Sequence, residues 1–245
     1  MHSHLGDTRS ANQPDHLLQT PDTFVRTELP GMKNGIAIVH VSPARGAAFT
    51  QYTAELEIGG MLGSTNVQRF LYMLHGAATL TTHNGIAALA RGGYAYVPEG
   101  ADHELKATQK SRIAVIEKKY VRLDGAHVPD VIIGQESTVV STPLNNDPDL
   151  QVRSLLPGDS GFDFAVNTMT YKPGASLSMV EIHVMEHGLL MLEGGGIYRL
   201  SDRWYPVMAG DFIWMAAYCP QWFGAIGKTP AKYLIYKDGN RHPLS

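Results

Sequence analysis

Apolar residues come along this chain in short runs and alternations, not in stripes of helical period. The runs lie at 35–41, 70–74, 94–97, 113–117, 164–170, 189–192, 212–215 and 233–236. Gly, Pro, Asn and Asp punctuate the intervals, as in His83-Asn84-Gly85 and Pro173-Gly174. Short apolar or alternating runs separated by turn residues predict many strands, and hence a β-sandwich or barrel. No segment predicts a helix longer than two turns.

The pattern also repeats. A shift of 118 positions lays Met73-Leu74 and Gly76 on Met191-Leu192 and Gly194, Gly92 on Gly210, Tyr94 on Phe212 and Tyr96 on Trp214. The same shift lays His103 on Gln221 and Lys119 on Lys237, so the register is expected to hold without a gap from about residue 63 to 119. Two similar β units follow, over 21–120 and 150–245. The connector between them, 121–149, is rich in Asp, Pro, Ser and Thr, with one strand expected at Val131-Ile132-Ile133. Residues 1–20 are expected to form a flexible polar tail, with His2 and His4 in it.

Composition narrows the class of protein. With 245 residues, 44% of them hydrophobic and 18% charged, the chain is long and apolar enough to bury a core. A formal net charge of −3 without blocks of like charge gives no attraction for a phosphate backbone or an anionic membrane. Neither nucleic acid nor membrane is therefore an expected partner. No apolar run approaches the ~18 residues of a spanning helix, and the first residues lack the apolar stretch of a secretory leader. Cys219 is the single cysteine, so no internal disulfide can form and a cytoplasmic location is expected. It follows the apolar run 212–218 and is expected to be buried and inert.

Candidate chemistry concentrates in residues 173–188. On a strand, Glu181 and His183 would share one face, and His187, after a short turn, could converge on them. A carboxylate and two imidazoles with open positions beside them suit an octahedral divalent ion. Residues Gly210-Asp211, a strand and a turn at Pro220 would then deliver Gln221, whose carbonyl oxygen is a hard, neutral fourth donor. Two oxygens with two imidazoles suit Mn²⁺ or Fe²⁺ better than a closed zinc site. Such a trio alone fits a solvated strand equally well; the flanking glycines and Gln221 favour the metal. The 118-residue shift turns these positions into Gly63, Thr65, Arg69 and His103. One possible ligand does not hold an ion, so the first unit is expected to lack a metal site and His103 to be structural. Lys237, directly after an apolar strand, is a candidate anchor for a substrate carboxylate in a low-dielectric pocket.

These motifs resemble, twice over, those of the cupin family. The resemblance implies an all-β bicupin, two double-stranded β-helix (jelly-roll) barrels in tandem. The departures are specific: Glu181 stands where the family's first histidine does, His187 where its glutamate does, and Gln221 replaces the histidine of the second motif. That permuted set is similar to the (S)-ureidoglycine aminohydrolase family. So are the run Gln221-Trp222-Phe223-Gly224-Ala225-Ile226-Gly227-Lys228-Thr229 and the stretch Tyr233-Leu234-Ile235-Tyr236-Lys237-Asp238-Gly239-Asn240-Arg241. The resemblance implies a hydrolase of purine catabolism that converts a small ureide, (S)-ureidoglycine, and water to (S)-ureidoglycolate and ammonia with Mn²⁺ as cofactor. It implies Glu181, His183, His187 and Gln221 as metal ligands, and Glu181, Gln221, Tyr233, Lys237 and Tyr198 as substrate contacts. Glu181 and Lys237 are then the candidate catalytic residues. The same barrel could carry a dioxygenase or isomerase instead, or bind a small molecule without turnover. Long sheet edges lead us to expect a homo-oligomer.

Overall fold

The computed structural model describes residues 7–241, so the expectation for His2 and His4 falls outside the described residues. Each of the eight apolar runs lies within a strand, and among the described residues the helical elements are three 3-10 turns of three residues each. Among the described residues no helix is long and apolar enough to cross a membrane.

The chain folds as two units. One comprises Val25–Val140 and Leu155–Asp163; the other comprises Met1–Phe24, Ser141–Ser154 and Phe164–Ser245. This division differs from the boundaries read from sequence. Much of the connector belongs to the first unit, where the strand Ile132–Gln135 pairs with Gly93–Val97. The excursion 155–163 returns to that unit too: buried Asp163 accepts hydrogen bonds from Gln68 and Lys118. Residues 7–20 are not a loose tail. His16–Gln19 pairs antiparallel with Phe212–Met215, and Arg9 grips the fully buried Asp211 with two nitrogens, at 2.6 and 2.9 Å. A bidentate guanidinium–carboxylate pair of that kind holds a segment whose composition alone reads as solvated.

Within the second unit an eight-stranded sheet runs in the order Ala11–Asn12, His16–Gln19, Phe212–Met215, His187–Glu193, Ala231–Asp238, Phe164–Tyr171, Asp147–Ser154, Thr142–Leu144. A three-stranded sheet is formed by Arg203–Met208, Gly195–Leu200 and Gln221–Ala225. One core cluster draws on both, with Leu18, Leu189, Met191 and Ile213 from the larger sheet and Tyr198, Leu200, Phe223 and Ala225 from the smaller.

The repeat is present in the strand pairing itself. Arg69 faces Val97 as His187 faces Met215, Ala77 faces Ala90 as Gly195 faces Met208, and His103 faces Thr82 as Gln221 faces Leu200. Its glycines mark the turns: Gly76 and Gly194, like Gly92 and Gly210, have positive φ, which side chains disfavour. A Cβ at Gly76 or Gly194 would also collide with a backbone carbonyl, that of Lys110 or Pro230. The register does not hold to residue 119, however. Met73 faces Ile113, whereas Met191 faces Tyr233, two residues further on, because the turn 226–230 is two residues longer than 108–110. Glu117, not Lys119, is the counterpart of Lys237.

Candidate active site

Strand alternation places the candidate residues. Leu189 and Met191 belong to the core, and His187 is the next residue on their face of His187–Glu193. Ala231, Tyr233 and Ile235 lead in the same way to Lys237, and Ala225 and Phe223 lead to Gln221. His187 and Lys237 are directly paired across neighbouring strands. An apolar interior therefore ends in a layer of polar groups.

Glu181 and His183 reach this layer differently from the expectation. Neither lies on a continuous strand. Ser176 bridges Gly224, but Glu181 bridges Gln221, so two extra residues loop out between them. The indole N–H of Trp222 takes the Leu177 carbonyl at 2.7 Å, at the point where the ladder breaks. Glu181 is nevertheless held firmly: it exchanges backbone hydrogen bonds of 2.8 and 2.9 Å with Gln221. His183 is tied through its carbonyl to the Tyr218 N–H at 2.6 Å.

The side chains meet in pairs. His183 Nε2 lies 3.1 Å from Glu181 Oε2, and the His183 and His187 rings are 5.3 Å apart. Tyr198 donates to Gln221 Oε1 at 3.0 Å. The ligand atoms of Glu181, His183 and His187 do not all lie within 4.8 Å of one another; the His, Cys, Asp and Glu group that is so close among the described residues is a different one, Asp15, His16 and Cys219.

Burial sets the electrostatics. Desolvation, assisted by His183 and Lys237, pushes His187 down to about 3, so the ring stays neutral and keeps a free lone pair. Its Nδ1 is buried without a hydrogen bond of regular geometry, and the Glu186 and Tyr236 backbones act on the ring against the shift. Leaving such an atom unsatisfied costs about 1–3 kcal/mol. Together with a carboxylate, a second imidazole and a carboxamide oxygen, the donor set fits a hard or borderline divalent ion. Lys237 is held below the ordinary lysine value, chiefly by desolvation, with Glu181 opposing. Burial raises the tyrosines Tyr171, Tyr198 and Tyr233 well above their usual value, so all three remain hydroxyl donors. The Cys219 thiol, pushed up to about 11 by burial, is a poor nucleophile.

Two residues of the layer escaped the sequence reading. Tyr171 shares a hydrogen bond of 2.6 Å with Tyr233. Asn167, with its amide oriented to accept, takes a bond from Lys237 Nζ at 3.2 Å. Alternation along Phe164–Tyr171 is the signal for both, since Asn167 and Tyr171 share one face with Met169.

The first unit fills the equivalent positions with an ion pair. Arg69, in the place of His187, bonds Glu117 at 2.7 and 2.8 Å, Gly63 O at 2.7 Å and His103 Nε2 at 2.8 Å. His103 gives its other nitrogen to Ala101 O, and burial lowers its pKa. A fixed guanidinium thus sits where the second unit gathers its donors. Removing one partner of a buried pair strands the other. Glu117→Ala is expected to destabilise the protein by about 3 kcal/mol, read by denaturant unfolding, with kcat unchanged.

The fold is that of a bicupin, and this layer is a candidate metal centre in its second unit. Comparison with known proteins agrees on the fold: the cupin domain family matches residues 167–236. An (S)-ureidoglycine aminohydrolase from Arabidopsis thaliana is 40% identical over 99% of this chain and 83% of its own length. One from Escherichia coli strain K12 is 33% identical over 91% of this chain and 88% of its own. The crystal structure of protein YlbA from E. coli superposes with a TM-score of 0.86 at 30% identity, covering 99% of this chain and 98% of that one. The chain belongs to the (S)-ureidoglycine aminohydrolase family.

Proposed function

We propose that this protein hydrolyses (S)-ureidoglycine to (S)-ureidoglycolate and ammonia, with Glu181, His183, His187 and Gln221 holding a divalent cation, Mn²⁺ in preference to Zn²⁺. The observation that carries the reading is the polar layer that ends the apolar interior: buried, neutral His187 paired across strands with Lys237, and Glu181 bridged to Gln221 with its carboxylate 3.1 Å from His183. The bound cation would supply Lewis acidity and a template for the substrate.

The chain's own groups do the rest. Lys237, desolvated and steered by Asn167, pairs with the substrate carboxylate; in a site of low dielectric such a pair both binds and orients. Tyr233 offers its hydroxyl towards the substrate, with Tyr171 fixing the direction of the proton. Tyr198 acts through Gln221, holding the carboxamide so that Oε1 faces the centre. Glu181 takes a proton from the attacking water and delivers it to the departing amine. The C–N bond breaks as the new C–O bond forms, and ammonia leaves.

Ammonia release from freshly prepared (S)-ureidoglycine tests this directly. Chelation is expected to abolish release and Mn²⁺ to restore it. Full activity in the chelated protein, or oxygen uptake without ammonia, would sink the proposal.

A further inference from the structure

The second unit holds another convergent donor set, apart from the site above. Asp15, His16 and Cys219 place a carboxylate oxygen, an imidazole nitrogen and a sulfur all within 4.8 Å of one another. His16 is 1% exposed and Cys219 4%. We propose that these three side chains form a second metal site, for a borderline-soft divalent ion of the zinc class, which fastens the N-terminal segment to the turn that delivers Gln221.

The donor chemistry selects the ion. Sulfur, imidazole and carboxylate are the zinc ligand types, and three of them with one position left is a recognised tetrahedral arrangement. A hard ion such as Mn²⁺ has no preference for the sulfur. Cation binding displaces the thiol proton to solvent; nothing is oxidised or reduced.

The supporting shell is already built. A ligating histidine uses its other ring nitrogen for an outer hydrogen bond, and His16 Nε2 lies 2.9 Å from the Tyr205 hydroxyl. That leaves Nδ1, which lies 2.8 Å from Asp15 Oδ1, close enough for both to share an ion at about 2.0–2.2 Å. The Ser201 hydroxyl also bonds Asp15. The backbone brings the sulfur in: Ala216 N–H donates to Asp15 O at 2.9 Å, and Cys219 N–H to Ala216 O at 3.1 Å. Between them Tyr218 adopts a left-handed φ of 64°, and its N–H holds the His183 carbonyl. An ion here would pin the turn from which both His183 and Gln221 take their positions.

The competing account is a hydrogen-bonded Asp15–His16–Tyr205 chain with a bystander thiol, and cobalt separates the two. Metal-free full-length protein titrated with Co²⁺ is expected to show a near-ultraviolet thiolate-to-cobalt charge-transfer band. The band should persist in His187→Ala and vanish in Cys219→Ser and in His16→Gln. Tyr205→Phe should weaken cobalt binding at this site about ten-fold. Zn²⁺ should raise the thermal midpoint of His187→Ala but not of the double variant with Cys219→Ser. A wild-type protein without the band, or a band that survives Cys219→Ser or His16→Gln, would overturn the inference. None of these readings uses ammonia release, so the second site and the proposed reaction stand or fall separately.

Discussion

Glu181→Gln is expected to lower kcat by about 10²- to 10⁴-fold, the usual contribution of a positioned acid–base group, while the proposed divalent cation stays bound. The separation follows from how Glu181 is held. Its backbone is fixed by reciprocal hydrogen bonds to Gln221, so the substituted side chain stays in place. A carboxamide oxygen is still a neutral oxygen donor that can face a cation and His183. What glutamine cannot do is take a proton from water and pass it to the amine. Turnover measured beside metal content on the same preparation decides the point. A parallel fall in both would reduce Glu181 to a ligand alone.

Lys237→Met is expected to raise KM for (S)-ureidoglycine about 10- to 100-fold, the loss of one charge-assisted bond of roughly 1.5–3 kcal/mol, with a smaller change in kcat. Methionine keeps the apolar stem and removes the charge. The ammonium lies on an inward face at the end of the core positions Ala231, Tyr233 and Ile235, and desolvation depresses its pKa. Keeping a charge there works against the fold, so the variant is expected to be no less stable than the parent in denaturant. A normal KM would place Lys237 outside the substrate pocket.

The shift that paired Lys119 with Lys237 failed because strand faces alternate with period two. An insertion of two residues leaves every inward side chain inward, so the hydrophobic pattern does not register it. Strand pairing exposes the slip, as where Met191 faces Tyr233 and His187 faces Lys237. The expectation that Glu181 and His183 lie on a strand failed because a side chain, the Trp222 indole, competes for the Leu177 carbonyl. Residues 7–20 read as a tail because their anchors, Asp211 and the strand Phe212–Met215, lie about 200 positions away.

By itself the sequence determined the strands, the doubling, the glycine turns and the list of donors, because alternation, left-handed φ and ligand chemistry are local properties of residues. The tertiary structure alone decided that Glu117 and not Lys119 is the counterpart of Lys237, that Arg69 and Glu117 pair in the first unit where the second has His187 and Lys237, and that Asp15 and His16 meet Cys219. Those outcomes depend on strand pairing and burial between distant segments, and no local pattern encodes the distance between two such atoms.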